Sequence, residues 1–416
     1  MKSGLSALVL PGVALPFIAS GCSSKKSSDK EIVLGTTGYA KEAFDKVLHD
    51  LDFTGQTGLK VNVRIRPTTT NELLTQMISA VQAGTSPYDV LDLEDAAAVS
   101  LTRAGWLLPL DELITDEVWN DYTSALLDMT KVWDQKDGET FRIHHNFEIS
   151  YWWYRKDWFD QKGIDTPKTW DDVKNMGEVF TNKPKGVWAT EEALQKNTFL
   201  DVYTSWITRQ AGGNLYNVDD AFRLALQYIH DLMYKDNVLN PACLQKNYDQ
   251  QNNDYIANRV AFMRQWPFFY DVAQQHSSWY APEKVACGLP PVGPGGKSVS
   301  TYAAGWGYGI PKTAQHVDGA KTLTQFLIAN ENASRMAHYS SWFLNARHSV
   351  LEASSERSLS KYLKMYMDAG VVTTRPFHRK YTEAVAILEN IASGFLTNQY
   401  NLDKAILQAK EQIELL

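Results

Sequence analysis

The sequence predicts an α/β fold that is built around a parallel sheet and divided into more than one domain. From Ile32 to Leu93, strand patterns alternate with helix patterns, and this order requires right-handed crossovers between parallel strands. The chain of 416 residues is also longer than a single ordinary core supports, so two to three domains are expected. Because ligands bind at the carboxyl ends of parallel strands, the residues that follow these strands are candidates for a binding site.

Three strands and two helices make up this alternation. Residues 32–34, 60–65 and 88–93 have the apolar or alternating composition that is typical of strands. Apolar residues at helical spacing lie between them, and the second helix is expected to stop at Gly84. The ends of the first and third strands place four candidate side chains on one rim: Thr37, Tyr39, Glu94 and Asp95. We also expect Asp95 to be the N-cap of the next helix.

The N-terminus has the pattern of an export signal. One positive charge precedes the apolar segment from Leu5 to Ile18, which is too short to cross a bilayer as a helix. The sequence that ends at Cys22 resembles the cleavage site of bacterial lipoproteins, although Ala19 stands where Leu, Val or Ile is usual. The resemblance implies a signal peptide at 1–21, a lipid anchor on Cys22 and a flexible tether at 22–30. The protein would then be anchored to the bacterial membrane, facing the periplasm or the exterior, and an ordinary secretory signal is the alternative.

The charge balance and the cysteines argue against several kinds of partner. A net charge of −7 gives no indication of the basic face that nucleic acid requires. Cys243 and Cys287 lie outside any CxxC or Cys/His cluster, and His144 and His145 lack suitably spaced partners, so neither a metal nor another cofactor is expected. The two cysteines fit either one disulfide or two buried free thiols.

The segment from His144 to Phe159 combines polar side chains with many aromatic rings. Its composition predicts a strand followed by the start of a helix, but polar groups come directly before the rings instead of alternating with them. We therefore interpret Asn146 to Glu148 as a crossing between two lobes that presents polar groups to a cleft. Most rings from Tyr151 onward are then core, and of Trp152 and Trp153 at most one points to a ligand, because neighbours face opposite sides of a strand.

A series of motifs runs through nearly the whole chain after the leader. They are Tyr88 to Leu93 with Ala104 to Leu110, Tyr154 to Asp157, Thr166 to Asp172, Asn258 to Pro267, Cys287 to Gly296, Ala304 to Gly307 and Trp342 to Val350. In their sequence and order these motifs resemble the type 1 extracellular solute-binding proteins, which are the sugar-binding receptors of ABC importers. Thr169 with Asp172 three residues later is also a good helix start.

The resemblance implies a two-lobe periplasmic-binding-protein-like fold of type II, with a ligand cleft between lobes that are joined by hinge strands. It divides the chain into an N-terminal lobe (31–145 and 302–350) and a C-terminal lobe (146–301 and 351–416), with crossings near Asn146, Thr301 and Ala346. It further implies a monomeric receptor, not an enzyme, that captures a neutral di- or oligosaccharide and delivers it to a membrane permease.

The candidate ligand-binding residues have the chemistry that sugars need. Carboxylates accept hydroxyl protons, guanidinium groups donate to oxygens, and aromatic faces pack against C–H patches. The polar candidates are Thr37, Glu94, Asp95, Asn146, Glu148 and Arg375, and the aromatic candidates are Tyr39, Tyr151, Trp266, Trp306 and Trp342. Gly and Pro neighbours favour exposed turns at Trp266 and Trp306. The alternatives are a helix cap for Glu94, an inter-lobe salt bridge for Glu148 and a surface ion pair for Arg375.

Two other functions stay open at this stage. A secreted glycoside hydrolase could use Glu94 and Glu148 as its two carboxylates, which must flank one glycosidic bond. A receptor for a non-sugar solute, such as a polyol phosphate or a peptide, is the other alternative. A phosphate would require a basic cluster on the rim, and few basic residues besides Arg375 and Arg347 can be assigned there.

Overall fold

A computed structural model describes residues 31–196, 199–276, 278–281, 283–296 and 300–416. The predicted signal peptide, Cys22 and the tether lie outside these residues. In the described part of the chain, no helix is both long and apolar enough to cross a membrane.

The described strands and helices alternate along the chain. The strands are β1 (Glu31–Thr36), β2 (Lys60–Ile65), β3 (Val90–Glu94), β4 (Gln135–Lys136), β5 (Glu139–Thr140), β6 (Ile143–Ile149), β7 (Tyr151–Arg155), β8 (Trp188–Thr190), β9 (Val260–Gln265), β10 (Val285–Gly288), β11 (Thr301–Gly309) and β12 (Val372–Thr374). The α-helices are α1 (Lys41–Asp50), α2 (Phe53–Thr57), α3 (Thr70–Ala83), α4 (Asp95–Arg103), α5 (Asp116–Asn120), α6 (Ser124–Trp133), α7 (Lys156–Lys162), α8 (Trp170–Phe180), α9 (Phe199–Gln210), α10 (Asp220–Tyr234), α11 (Tyr248–Ile256), α12 (Phe269–His276), α13 (Val317–Ile328), α14 (Asn330–Met336), α15 (His348–Ala353), α16 (Ser358–Asp368), α17 (Tyr381–Leu396) and α18 (Leu402–Glu414).

The first sheet contains the parallel strands that the sequence predicts. Its order is β12-β11-β3-β1-β2, with β6 also paired to β11, and β1 runs parallel to both β2 and β3. Helix α3 ends at Gly84, whose φ of 68° is the left-handed conformation that stops a helix, so that prediction is confirmed. The carboxyl ends of β1 and β3 therefore bring Thr37 and Glu94 to the same edge of the sheet.

The second sheet is the core of the other lobe. Its order is β10-β7-β9-β8, and β7 is antiparallel to both of its neighbours. Trp152 and Trp153 on β7 are both buried, the first against Phe262 and the second against Phe269. Neither Trp reaches a ligand site, which agrees with the interpretation of these rings as core. The predicted capping box at Thr169 and Asp172, which starts α8, is also present.

Two crossings between the sheets lie side by side. Only Ser150 separates β6 from β7, and its N–H donates to the Tyr302 carbonyl at the start of β11 (3.2 Å). The Thr301 hydroxyl donates to the Ser150 carbonyl (2.9 Å). The crossing lies later than the expected Asn146, because β6 stays paired with β11 as far as Ile149.

The return path of the chain differs from the expected lobe boundaries. The Ala346 carbonyl accepts hydrogen bonds from the N–H (3.2 Å) and the hydroxyl (2.8 Å) of Thr123, so this segment is attached to the first lobe. The chain then reaches the second lobe in α16, where the Tyr366 hydroxyl donates to the Gly288 carbonyl. The chain contributes β12 to the edge of the first sheet beside β11, although residues 351–416 were expected in the second lobe. Helices α17 and α18 then pack against α10 of the second lobe.

Both cysteines are buried free thiols. Cys243 and Cys287 lie in the interior of the second lobe, and neither forms a disulfide within the described residues. The sequence left this question open, and the structure favours the second alternative.

Candidate ligand-binding cleft

An aromatic cluster lines the first-lobe side of the cleft. Tyr39 follows β1, Trp306 lies on β11, and Trp342 lies in the short helical turn at 341–343. The ring of Tyr39 lies 5.2 Å from that of Trp342 and 6.2 Å from that of Trp306, and the two Trp rings are 4.7 Å apart. Tyr39 is 59% exposed while both Trp rings are buried, so the cluster presents one open ring above two covered ones.

Both lobes hold the segment that carries Trp342. From the first lobe, the side-chain amide of Asn146 donates to the Trp342 carbonyl (3.1 Å). From α12 of the second lobe, Asp271 accepts hydrogen bonds from the Ser340 hydroxyl (3.0 Å) and from the N–H (2.9 Å) and hydroxyl (2.8 Å) of Ser341. The indole N–H of Trp342 is buried and has no hydrogen-bond partner among the described residues, so one donor stays available.

Trp306 does not lie in the exposed turn that its neighbours suggested. It is in the middle of β11, and a Cβ atom on Gly305 or Gly307 would come within 2.6 Å of a β6 carbonyl oxygen. The glycines therefore permit close pairing with β6 instead of a turn. On its other side, the Arg66 guanidinium lies 5.5 Å above the Trp306 ring.

Trp266 is also more enclosed than the sequence suggested. It follows β9 directly, and the guanidinium of Arg264 lies 4.3 Å above its ring. Its indole N–H donates to the Tyr248 hydroxyl (2.9 Å). The Arg264 guanidinium covers one face of the Trp266 ring, and the expectation of an exposed turn is wrong here too, since the residue is buried.

Glu94 and Asp95 have exchanged the expected capping roles. Glu94 occupies the N-cap position of α4, but its carboxylate accepts a hydrogen bond from the Thr70 hydroxyl instead of capping the helix. Asp95 is the first helical residue, so its prediction as N-cap is wrong. Its buried carboxylate accepts from Arg142 Nη2 (2.7 Å) and from the Gly305 N–H (3.2 Å). Asp95 thus fastens α4 to the sheet, and Glu94 is the more accessible of the two.

Glu148 is a buried carboxyl group without a hydrogen-bond donor among the described residues. It lies on β6 and is 7% exposed. Burial, assisted by nearby Asp95 and Glu94 and opposed by Arg264, raises its pKa from the ordinary 4.5 to about 8. The expected inter-lobe salt bridge is not formed within the described chain, and at neutral pH the group holds a proton.

Arg375 is buried instead of forming a surface ion pair. Its backbone N–H donates to the Ala303 carbonyl (2.9 Å), which places it beside β11. Its guanidinium lies 3.7 Å from the Asp201 carboxylate and 5.2 Å from the centre of the Tyr381 ring. Arg347, the other basic residue that the sequence suggested, pairs with Asp121 in the first lobe (2.8 Å).

Two further candidates are structural in this conformation. Tyr151 is fully buried between Trp153 and Tyr366 in the second lobe, so it offers no ring face to a ligand. Asn146 is fully buried and donates to the Trp342 backbone, so it positions an aromatic candidate instead of facing solvent. Thr37, by contrast, has a buried side chain whose hydroxyl interacts with the phenol of Tyr39.

The two histidines pair with buried aspartates. His144 lies 2.8 Å from Asp134, and His145 lies 2.8 Å from Asp92. Arg142 joins the same cluster through Asp134 (2.6 Å). Across the described residues, no group of three or more His, Cys, Asp or Glu side chains could hold a metal ion.

Arg66 and Arg264 lie over the rings of Trp306 and Trp266, and the sequence did not identify either arginine as a candidate site residue. Arg66 donates two hydrogen bonds to the Asp92 carbonyl below Trp306. The available signal for Arg264 was a charged residue within the otherwise apolar strand that leads to Trp266. Buried charges of this kind usually have a partner or a function.

Comparison with known proteins supports this picture. The family model described as bacterial extracellular solute-binding protein matches residues 35–334. A protein of Deinococcus radiodurans described as a probable ABC transporter-binding protein is 25% identical over 204 residues, which are 46% of this chain and 47% of that protein, so the chain spans about half the length of this curated relative.

Two solved structures share the fold over nearly the whole chain. The maltose-bound MalE3 of T. maritima superposes with a TM-score of 0.79 at 21% identity, covering 93% of this chain and 100% of that one. A solute-binding protein of Thermotoga lettingae with bound α-D-tagatose has a TM-score of 0.80 at 19% identity, covering 93% and 99%. These relatives are two-lobe binding proteins of mixed α/β structure, so the predicted type II fold is confirmed.

Proposed function

The chain belongs to the bacterial extracellular solute-binding proteins, and on that premise we propose that its solute is a di- or oligosaccharide. The protein would act as the receptor of an ABC importer, capture the saccharide between two closing lobes and deliver it to a membrane permease. The two solved relatives described above carry maltose and α-D-tagatose, which supports a carbohydrate ligand.

The observation that carries this proposal is the composition of the cleft. Three aromatic rings, Tyr39, Trp306 and Trp342, lie within 6.2 Å of one another. Beside them is the buried indole N–H of Trp342, which has no protein partner among the described residues. Rings that pack against C–H surfaces, together with an unused donor, match a ring-shaped ligand that carries hydroxyl groups.

Closure around the ligand would be a hinge motion at the paired crossings. Ser150 and Thr301 connect the two sheets through single hydrogen bonds, and rotation there would separate Tyr39 and Trp342 from Trp266. A ligand that contacts both lobes favours the closed state by its differential affinity for that state. The proposed lobes are 31–145 with 302–350 and 146–301 with 351–416, apart from the strand exchange described above.

The proposed location is the outer face of the cell membrane. A lipid on Cys22 would anchor the chain, residues 22–30 would act as a tether, and the folded part would work as a monomer beside the permease.

Titration with sugars tests the proposal. Binding of the correct saccharide is expected to raise the melting temperature and to reduce the radius of gyration in solution scattering, because the ligand stabilises the closed lobes. A panel of glucose-, mannose-, xylose- and galactose-based di- to pentasaccharides covers the expected class. If no member changes either quantity, the carbohydrate assignment is wrong, and a parallel panel of polyols tests the non-sugar alternative.

A second candidate function rests on the two glutamates. Burial raises the pKa of Glu148 to about 8, so it could donate a proton, and Glu94 lies close enough to contribute to this shift. Glycoside hydrolysis needs two carboxyl groups that flank one bond, one of which donates a proton. Incubation with each sugar that binds, followed by chromatography of the products, distinguishes the two functions, because a receptor returns the sugar intact.

A further inference from the structure

Basic side chains gather where the two sheets meet, around Tyr302. Arg264 Nε donates to the hydroxyl of Ser150, whose N–H donates to the Tyr302 carbonyl (3.2 Å), and the backbone N–H of Arg375 donates to the carbonyl of the next residue, Ala303 (2.9 Å). Both guanidinium groups also oppose the rise in the pKa of the Tyr302 phenol that burial causes. Arg209 on α9 is a third basic neighbour, because Tyr302 acts on its pKa in turn. We call the group formed by Ser150, Tyr302, Arg264 and Arg375 the hinge floor.

The two buried guanidinium groups of the hinge floor have unused N–H donors. Arg264 donates from Nε to the Ser150 hydroxyl and from Nη1 to the Tyr248 hydroxyl (3.2 Å), but its buried Nη2 has no partner among the described residues. The Nη2 of Arg375 is equally buried, and the nearest carboxylate oxygen, on Asp201, is 3.7 Å away, beyond hydrogen-bond distance. Leaving such donors unmet in the interior is costly, so two in one place indicate an absent acceptor.

The charges of the hinge floor are also unbalanced. Arg264 is buried and forms no ion pair among the described residues, and the only ion pair of the equally buried Arg375 is with Asp201 at 3.7 Å. A buried guanidinium group without an ionic partner favours a ligand that brings a negative charge. A neutral sugar hydroxyl would find donors here but few acceptors, whereas a carboxylate accepts only and carries one negative charge.

We propose that the ligand carries a carboxylate, as in a uronic acid or an oligosaccharide that contains one, and that this carboxylate binds between Arg264 and Arg375. The inference rests on the proposed function, because it assigns the charged end of the same saccharide. The result differs from the neutral ligand that the sequence suggested, because Arg264 was then not recognised as part of the cleft.

Matched pairs of sugars test the proposal on the full chain. Calorimetric titrations compare galacturonate with galactose, glucuronate with glucose, and digalacturonate with a neutral disaccharide, at low and high salt. We expect at least one acidic member to bind tenfold or more tightly than its neutral partner, with a preference that decreases as salt rises. Arg375→Gln is expected to remove this preference, and Arg259→Gln, which changes an exposed arginine outside the hinge floor, is the matched control.

The outcomes separate this inference from the proposed function. If neutral members bind as tightly as acidic ones, the carboxylate proposal is overturned while the saccharide receptor stands. If no member of any pair binds, and no member of the neutral oligosaccharide panel binds either, both the carboxylate proposal and the proposed saccharide receptor are overturned. Should Arg375→Gln fail to fold, Arg375→Lys keeps the charge but not the geometry, and the salt dependence of the unmodified protein still decides the question.

Discussion

Replacing Glu148 by Gln is expected to change how the stability of the protein depends on pH. Burial raises the pKa of this carboxyl group from 4.5 to about 8, so the folded protein holds a proton that the unfolded chain releases. For an acid whose folded pKa is raised, the free energy of unfolding is unaffected below pH 4.5, falls between pH 4.5 and 8, and is constant above that. Glu148→Gln removes this loss, because the amide does not ionise.

The size of the change in the free energy of unfolding follows from the shift in the pKa of Glu148. A difference between 4.5 and about 8 corresponds to about 5 kcal/mol over the whole window, of which about 3 kcal/mol are lost by pH 7. Glu192 has a similarly raised pKa of about 8 and titrates in the same range, but it is present in both proteins, so the difference between them isolates Glu148. The free energies of unfolding of the unmodified protein and of Glu148→Gln should agree within about 1 kcal/mol at pH 5. Their difference should grow to about 5 kcal/mol at pH 8.5.

Urea unfolding from pH 5 to 9 at constant ionic strength measures this difference. Glu356→Gln is the matched control, since its side chain is 97% exposed and its removal should leave the pH dependence unchanged. Parallel curves for the unmodified protein and Glu148→Gln would refute the reasoning, because they would mean that burial does not raise the pKa of Glu148 in the folded protein.

Three further predictions concern the rim, the sheet and the thiols. Tyr39→Ala should weaken saccharide binding about tenfold in calorimetry while changing the free energy of unfolding by less than about 1 kcal/mol, since the ring is largely exposed; unchanged affinity would remove Tyr39 from the site. Arg142→Met leaves Asp95 without its guanidinium partner and should cost about 3–5 kcal/mol in urea unfolding, and a loss below 1 kcal/mol would contradict the buried network. Alkylation mapped by mass spectrometry should modify Cys243 and Cys287 only after unfolding, and the melting temperature should not respond to reductant; a linked peptide pair would show a disulfide instead.

The parallel half of the first sheet was predictable because its signals are local. The strands at the N-terminus alternate with helices whose apolar spacing and stop at Gly84 are read directly from the sequence. The strand β11 was less predictable, because two of its residues, Gly305 and Gly307, must be glycine only to allow close pairing with β6, a segment more than 150 residues away. Pairings of that separation leave no periodic trace along the chain.

The candidate site was predictable in its residue types and less so in their surroundings. Glu148 and the aromatic residues Tyr39, Trp306 and Trp342 do lie together, which strand ends and motifs suggested. The sequence could not indicate which of these side chains would be engaged in hydrogen bonds with other parts of the protein. Asp95 is held by Arg142, and that partner lies 47 positions away, so its role is set only by the folded structure.

The contact between Asp271 and the serines beside Trp342 has a consequence for movement of the lobes. Three hydrogen bonds from Ser340 and Ser341 to Asp271 attach the segment that carries Trp342 to α12 of the second lobe. The Asn146 side chain attaches the same segment to the first lobe. A rotation of one lobe against the other must therefore break one of these attachments, and the weaker of the two decides with which lobe Trp342 travels.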